Sequence, residues 1–253
     1  TLSSSSAASD VYKRQVPHGS QLCCSCPYVV ERVTKFGTES LSHFLTCGCR
    51  MTVRCIMHKT RIIATDIDLT LTDAKLRLDT RAVEKIRRLE ARGVKVILVS
   101  GRNLAATGSL AQFIGTCGLV VAENGGVIGR YQEPIRILGR IENARAAFRK
   151  LRKEMRRKVV ERPDSRHGLR LSDVSLERSF DPEEGRKVLR ETRSEVRLVD
   201  TGVTYQLLDA SADKGYALAR LARLEGLSLS RLTAIGDNYN DLDLFREARY
   251  RIA

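Results

Sequence analysis

Short apolar runs alternate with helical patterns in residues 60–122, and this alternation restricts the possible folds more than any other feature. The runs at 60–67, 94–99 and 119–122 are β-branched or aliphatic, which is typical of buried strands. Between them, 80–93 and 103–114 place apolar residues at helical spacing. Strands separated by helices form a parallel sheet through right-handed crossovers, so we predict an α/β protein with a Rossmann-like core.

A second pattern interrupts the first between residues 130 and 209, where we predict an inserted α+β cap domain. The predicted elements are, in order, a charged helix at 142–158, strand pattern at about 169–178, a helix beginning at Asp181-Pro182, and strands near 196–199 and 203–208. The first pattern then resumes with a helix at 213–225 and a strand at 232–235. We therefore assign 57–129 and 210–253 to the core.

The first 56 residues differ in composition and in hydrophobic pattern from the rest of the chain. They hold six of its seven cysteines and show no sustained strand or helix period. We expect 1–56 to be a non-native or disordered extension. The alternative is a zinc module that uses the Cys-x-Cys pairs at 24/26 and 47/49 with Cys55, His43 or His58.

Polar residues follow the predicted strands at the points where the strands end. Asp66 and Asp68 follow the first strand, Ser100 follows the second, and 236–241 (Gly-Asp-Asn-Tyr-Asn-Asp) follows the last. Lys214 begins the helix that leads back from the predicted cap. Singly, these residues are typical of a structural carboxylate pair, a helix cap, a solvated lysine and a turn. Together, at one edge of an open α/β sheet, they predict a site that handles phosphate.

The chemistry of phosphoryl transfer to a carboxylate requires these residue types. Asp66 would attack phosphorus and form an aspartyl-phosphate, and Asp68 would act as general acid and then as general base. Ser100 would donate to a phosphoryl oxygen, and Lys214 would balance the negative charge. Since two anions repel each other, a hard cation such as Mg²⁺ is expected, held by Asp66, Asp68, Asp237 and Asp241.

These motifs resemble the four motifs of the haloacid dehalogenase superfamily of phosphohydrolases. The resemblance runs from Met57 to Ala253 and adds Thr70 and Gly101 to the expected phosphate-binding residues. Within the superfamily, Asp66–Asp73, 123–126 (Glu-Asn-Gly-Gly) and 177–184 resemble archaeal phosphoglycolate phosphatases. The resemblance implies a cytoplasmic, Mg²⁺-dependent enzyme that converts 2-phosphoglycolate to glycolate. Sugar-phosphate phosphatases of the sucrose-phosphate or mannosyl-phosphoglycerate type share the sheet-bearing cap and are the alternative.

Two departures from the family pattern bear on these expectations. Leu69 stands where many relatives have glycine, which alters the turn after Asp66. The chain also stops at Ala253, soon after the fourth motif, where relatives continue through another strand and helix. We therefore expect a C-terminally truncated chain that lacks one edge of the sheet.

The positive charge of the chain suggests nucleic-acid binding as a different class of function, because the formal charge is +14 and a dense basic run lies at 145–158. A basic nucleic-acid-binding protein would interleave aromatic residues with such a run, yet Phe148 is its only one. We therefore favour a small phosphorylated substrate over nucleic acid. With no apolar run near the ~20 residues of a membrane span, we expect no membrane partner. The oligomeric state, and the roles of Arg170 and Tyr205, remain open at this point.

Overall fold

Two β-sheets organise the computed structural model, in which residues 60–253 are described. The elements are β1 (Ile62–Thr65), α1 (Thr80–Glu90), β2 (Lys95–Val99), α2 (Leu104–Ile114), β3 (Leu119–Ala122), β4 (Val127–Arg130), β5 (Arg136–Ile137), α3 (Ile141–Met155), α4 (Pro163–Arg166), β6 (Asp173–Leu176), α5 (Pro182–Glu191), β7 (Val196–Asp200), β8 (Tyr205–Asp209), α6 (Lys214–Leu224), β9 (Leu232–Ile235), α7 (Leu242–Glu247) and β10 (Tyr250–Ile252).

The larger sheet has the strand order β10-β9-β1-β2-β3-β4-β5. Its first five strands are parallel, with β1 paired on one side to β2 and on the other to β9. Strands β4 and β5 are antiparallel additions that the sequence patterns did not predict. Only residues 123–126 separate β3 from β4, which is too short for a parallel crossover. The predicted α/β class with a parallel core is confirmed.

Helices cover both faces of the larger sheet because side chains in a strand point alternately to its two sides. On one face, Ile63 and Val96 pack with residues of α1 and α2. On the other face, Ile62 and Ile97 pack with residues of α6 and α7. The strands are buried on both sides, which explains their nearly continuous apolar composition.

The smaller sheet is antiparallel, with the order β6-β8-β7, and α3 and α5 cover one of its faces. The buried residues of α3 form one stripe: Ala144, Ala147, Phe148, Leu151 and Met155. Much of the basic run at 145–158 therefore lies outside this stripe, on the opposite side of the helix from the sheet. The division into a core and a cap at 130–209 stays a prediction; β5, at 136–137, pairs with the larger sheet.

Strand β10 lies beside β9 and forms an edge of the larger sheet, next to the fourth motif. The predicted extension at 1–56, with its zinc alternative, lies outside the described residues. Within the described part of the chain, no helix has the length and apolar composition needed to cross a bilayer.

Candidate active site

A buried lysine joins two carboxylates at the carboxyl edge of the larger sheet. Lys214 is 1% exposed, and its Nζ lies 2.7 Å from Asp66 Oδ1 and 2.7 Å from Asp241 Oδ1. Asp213 caps α6 by accepting from the backbone N–H of Tyr216, which places Lys214 in the first turn of the helix. Residues from three separate segments of the chain, after β1, at the start of α6 and after β9, therefore meet at one point.

The loop after β9 contributes Asp241 and one further carboxylate, that of Asp237. Asp241 Oδ2 accepts from the backbone N–H groups of Asp237 (3.2 Å) and Asn238 (3.1 Å), so the loop folds around this side chain. Gly236 permits that approach, because a Cβ there would lie 2.5 Å from the Asp241 carboxyl carbon. Thr70 Oγ1 donates to Asp237 Oδ1 at 3.1 Å. One oxygen from each of Asp66, Asp237 and Asp241 lies within 4.8 Å of the others.

Burial and mutual repulsion set the electrostatics of this carboxylate cluster. Burial, against the attraction of Lys214 and with the help of Asp241, raises the pKa of Asp66 to about 7. Burial and the neighbouring Asp241 likewise raise the pKa of Asp237 to about 6. Burial opposes the charged form of Lys214, but Asp66 and Asp241 outweigh it and raise the pKa of this lysine. The cluster holds one fixed positive charge and has an excess of negative charge when its carboxyls are ionised.

Asp68 does not share the contacts of this cluster, although it follows Asp66 by two positions. Its carboxylate accepts from Arg102 Nε at 3.0 Å and from Arg102 Nη2 at 2.6 Å. Leu69, the next residue, has a φ of 61°, in the left-handed region where glycine is favoured. This positive φ explains why a glycine suits the position.

Ser100 and Gly101 directly follow β2, at the carboxyl edge of the larger sheet. Ser100 is buried, and its Oγ accepts from the backbone N–H of Arg102 at 3.1 Å. Its hydroxyl hydrogen is not used in that bond. The carbonyl of Gly101 accepts from Gln206 Nε2 (2.7 Å) and from Arg170 Nη2 (3.1 Å). The smaller sheet is thus hydrogen-bonded directly to the loop that follows β2.

The segment after β3 sets the position of Lys214. Glu123, Asn124 and Gly125 all have positive φ, and this turn packs against the start of α6. Gly125 is closest, since a Cβ there would lie 2.1 Å from the carbonyl oxygen of Asp213. The buried Glu123 carboxylate accepts from the backbone N–H of Ser172 at 2.8 Å, which ties the turn to the segment before β6.

We expect Gly125→Ala to lower the free energy of unfolding by about 2–4 kcal/mol, because it combines a positive φ with a clash against backbone. Movement of the clashing Asp213 carbonyl would also displace Lys214, so catalytic activity should fall. Gly93→Ala is the matched control: Gly93 also has a positive φ, but its added Cβ meets nothing within 4 Å. That variant should lose about 1 kcal/mol. Urea unfolding distinguishes the two, and equal losses would exclude the clash.

A cavity of about 270 Å³ lies between the carboxylate cluster and the smaller sheet. Its lining includes Asp66, Asp68, Gly101 and Asp237, all named by the sequence patterns. Sequence reasoning missed other lining residues. Asn240 lies in the 236–241 motif but was given no role, and others occur in no motif: Arg102, Arg162, Asp164, Ser175 and Gln206. Of the two residues left open, Arg170 lines this cavity, while Tyr205 packs under the helices of the smaller sheet and donates to the Phe180 carbonyl.

Comparison with known proteins decides the family. The model of the haloacid dehalogenase-like hydrolases matches residues 63–158 and 176–253. The chain belongs to this family. It is 38% identical over 194 residues to a phosphoglycolate phosphatase of Methanoculleus marisnigri, covering 76% of this chain and 83% of that protein. It is 39% identical over 198 residues to one of Archaeoglobus fulgidus, covering 78% and 84%.

Solved structures show the same fold. A crystal structure of a Thermoplasma acidophilum protein matches with a TM-score of 0.66 and 27% identity, over 76% of this chain and 84% of that one. A haloacid dehalogenase-like hydrolase from B. subtilis has the same fold, with a TM-score of 0.61 over 76% and 88% at 19% identity. The predicted hydrolase family is confirmed, and its phosphatase relatives support a phosphoric monoester hydrolase.

Proposed function

We propose that this hydrolase is a Mg²⁺-dependent phosphomonoesterase that converts 2-phosphoglycolate to glycolate and phosphate. The observation that supports the chemistry best is the buried Lys214, which holds Asp66 and Asp241 at 2.7 Å each. The named activity of the archaeal relatives supports the substrate. The cavity volume of about 270 Å³ supports a small substrate, since sites for drug-sized ligands span about 300–1,000 Å³.

Asp66 is the proposed nucleophile. One of its oxygens attacks phosphorus, the bond from phosphorus to the ester oxygen breaks, and an aspartyl-phosphate forms as the alkoxide leaves. Water then attacks the same phosphorus, which releases phosphate and restores the carboxylate. Asp66 Oδ1 is bonded to Lys214, so Oδ2 is the oxygen that can reach the substrate.

Asp68 is the proposed proton donor to the leaving alkoxide, and it would take a proton from water in the second step. Its bonds to Arg102 hold the carboxylate at the rim of the cavity. Ser100 has a hydroxyl hydrogen that can be donated to a phosphoryl oxygen, and Lys214 offsets the charge that gathers there. Thr70, through its bond to Asp237, and Gly101 complete the proposed phosphate-binding set.

The residues present fit a hard divalent cation. The cluster of Asp66, Asp237 and Asp241 supplies only carboxylate oxygens, which are the ligands that Mg²⁺ prefers, and a divalent cation would offset its negative charge when these carboxyls are ionised. These three side chains would hold the ion, and Asp68 stays a proposed fourth ligand. When bound, Mg²⁺ offsets the repulsion between the nucleophile and the phosphoryl oxygens.

A sugar-phosphate phosphatase is the second candidate, and one observation favours it. Asp164 Oδ1 and Asn240 Oδ1 are buried acceptors that line the cavity, and neither has a hydrogen-bond partner among the described residues. Sugar hydroxyl groups are donors that would satisfy such acceptors. Ordered water would satisfy them equally well.

A panel of phosphomonoesters tests the two candidates. We expect phosphate release from 2-phosphoglycolate in Mg²⁺, with kcat/KM at least about tenfold above sucrose 6-phosphate, because the small cavity excludes the larger sugar (tenfold equals about 1.4 kcal/mol of transition-state binding). The same assay with EDTA should show no release. A preference for the sugar phosphate would replace the proposed substrate, and full activity in EDTA would remove the proposed cation.

A further inference from the structure

The face of the smaller sheet that lies opposite α3 and α5 is directed at the candidate active site. Val174 and Leu207 point towards α3 and α5, so their strand neighbours Ser175 and Gln206 point the other way. Ser175 and Gln206 lie opposite each other in register. Because Gln206 reaches the Gly101 carbonyl, Ser175 lies close to the loop that follows β2. The candidate phosphate site and this face therefore line the same cavity.

Ser175 carries a polar group that nothing in the described part of the chain satisfies. The residue is fully buried and lines the cavity that also contains Asp66. Its Oγ has no hydrogen-bond partner among the described residues. Buried hydroxyl groups in folded proteins nearly always have a partner, so an orphaned hydroxyl in a cavity wall points to a ligand group.

Arg162 lies beside Ser175 and has unused donors. Its backbone N–H donates to the Ser175 carbonyl at 2.9 Å, and its side chain lines the same cavity. Nη1 lies 3.1 Å from Glu177 Oε2, in a pair whose side chains are 35% and 42% exposed. Such a half-exposed pair is weak, and a ligand can compete for the guanidinium.

The other two arginines of the cavity are occupied. Arg102 gives Nε and Nη2 to Asp68. Arg170 gives Nε to Asp164, Nη1 to Asp173 and Nη2 to the Gly101 carbonyl. Asp164 lines the cavity as well, but its ion pair is with Arg170, which it shares with Asp173, and not with Arg162. Arg162 is therefore the cation that this wall offers to a ligand.

We propose that Ser175 and Arg162 determine substrate specificity by binding a carboxylate at the end of the substrate opposite the phosphoryl group. A guanidinium binds a carboxylate through paired, charge-assisted hydrogen bonds, and the Ser175 hydroxyl adds a further donor. The cavity volume of about 270 Å³ suits a small acid such as a two-carbon one. This inference rests on the proposed function and names the residues that would read its substrate.

Two substrates of matched length test the inference: 2-phosphoglycolate, and 2-hydroxyethyl phosphate, in which a hydroxymethyl group replaces the carboxylate. In the full chain with Mg²⁺, Arg162→Gln should lower kcat/KM for phosphoglycolate about 100-fold and Ser175→Ala about tenfold, mainly through KM. For 2-hydroxyethyl phosphate both variants should stay within about twofold of the wild type. Arg162→Lys should recover part of the loss, since it keeps the charge without the paired donors.

Arg166→Gln is the matched control, because Arg166 is exposed on α4 and does not line the cavity. Ser175→Ala should leave the melting temperature unchanged or raised, because it removes a hydroxyl that has no partner; a structural role would lower it. Equal losses on both substrates, or none on either, would overturn the carboxylate site. A wild type that hydrolyses only other phosphomonoesters would overturn the proposed substrate and this inference with it.

Discussion

Asp66→Asn is expected to lower phosphate release from 2-phosphoglycolate at least about 1,000-fold, because the amide cannot form the aspartyl-phosphate. The two side chains have nearly the same shape, so packing at the end of β1 should be retained. Lys214 keeps its bond to Asp241 in the variant, and its charge stays paired. Steady-state phosphate release at saturating Mg²⁺, with circular dichroism to verify folding, measures the effect.

Asp181→Asn provides a matched control for that experiment. Asp181 is exposed and caps α5 by accepting from the backbone N–H of Glu183, and asparagine caps helices equally well. Its activity and stability should equal those of the wild type. Substantial activity in Asp66→Asn, beyond what slow deamidation supplies, would remove Asp66 from the role of nucleophile.

Lys214→Met is expected to lower the free energy of unfolding by about 3–5 kcal/mol, the cost of removing one partner from a buried ion pair. Asp66 and Asp241 would then face each other, buried and without the cation that lies 2.7 Å from both. Methionine fills a similar volume, so the loss reports charge more than packing. Urea unfolding in EDTA measures it.

Added Mg²⁺ should recover more stability in Lys214→Met than in the wild type, because the uncompensated carboxylates bind the cation more tightly. Lys187→Met is the control: the Lys187 side chain is 70% exposed, and its removal should change stability by no more than about 0.5 kcal/mol. A Lys214→Met variant within 1 kcal/mol of the wild type would contradict a coupled, buried cluster. An equal gain in stability from Mg²⁺ in Lys214→Met and in the wild type would show that cation binding does not depend on this lysine.

Most of the fold could be predicted from the sequence because the decisive signals are local. The apolar runs at 60–67 and 94–99 contain β1 and β2, and Asp181 caps α5 as expected. Strand period, helix period and capping all depend on residues a few positions apart. The antiparallel β4 and β5 were missed, because short runs among turn residues have little periodicity.

The candidate site, too, could be predicted only where the signal is local. The types and order of Asp66, Ser100, Lys214 and Asp237 predicted a phosphate-handling edge, since parallel strands bring their carboxyl ends together. No pattern in the sequence indicated which carboxylates Lys214 contacts. Nor did any pattern indicate that Asp68 pairs with Arg102, outside the Asp66–Asp237–Asp241 group.

Local sequence thus established the fold class and the residue types that handle phosphate, because the carboxyl ends of parallel strands lie at one edge of the sheet. The three-dimensional arrangement alone established the wall opposite that edge. Ser175 and Gln206 belong to no motif, and Gln206 reaches Gly101 only because two distant segments fold against each other. Side chains that meet across some hundred residues leave no periodic trace, since their contact depends on packing and not on spacing along the chain.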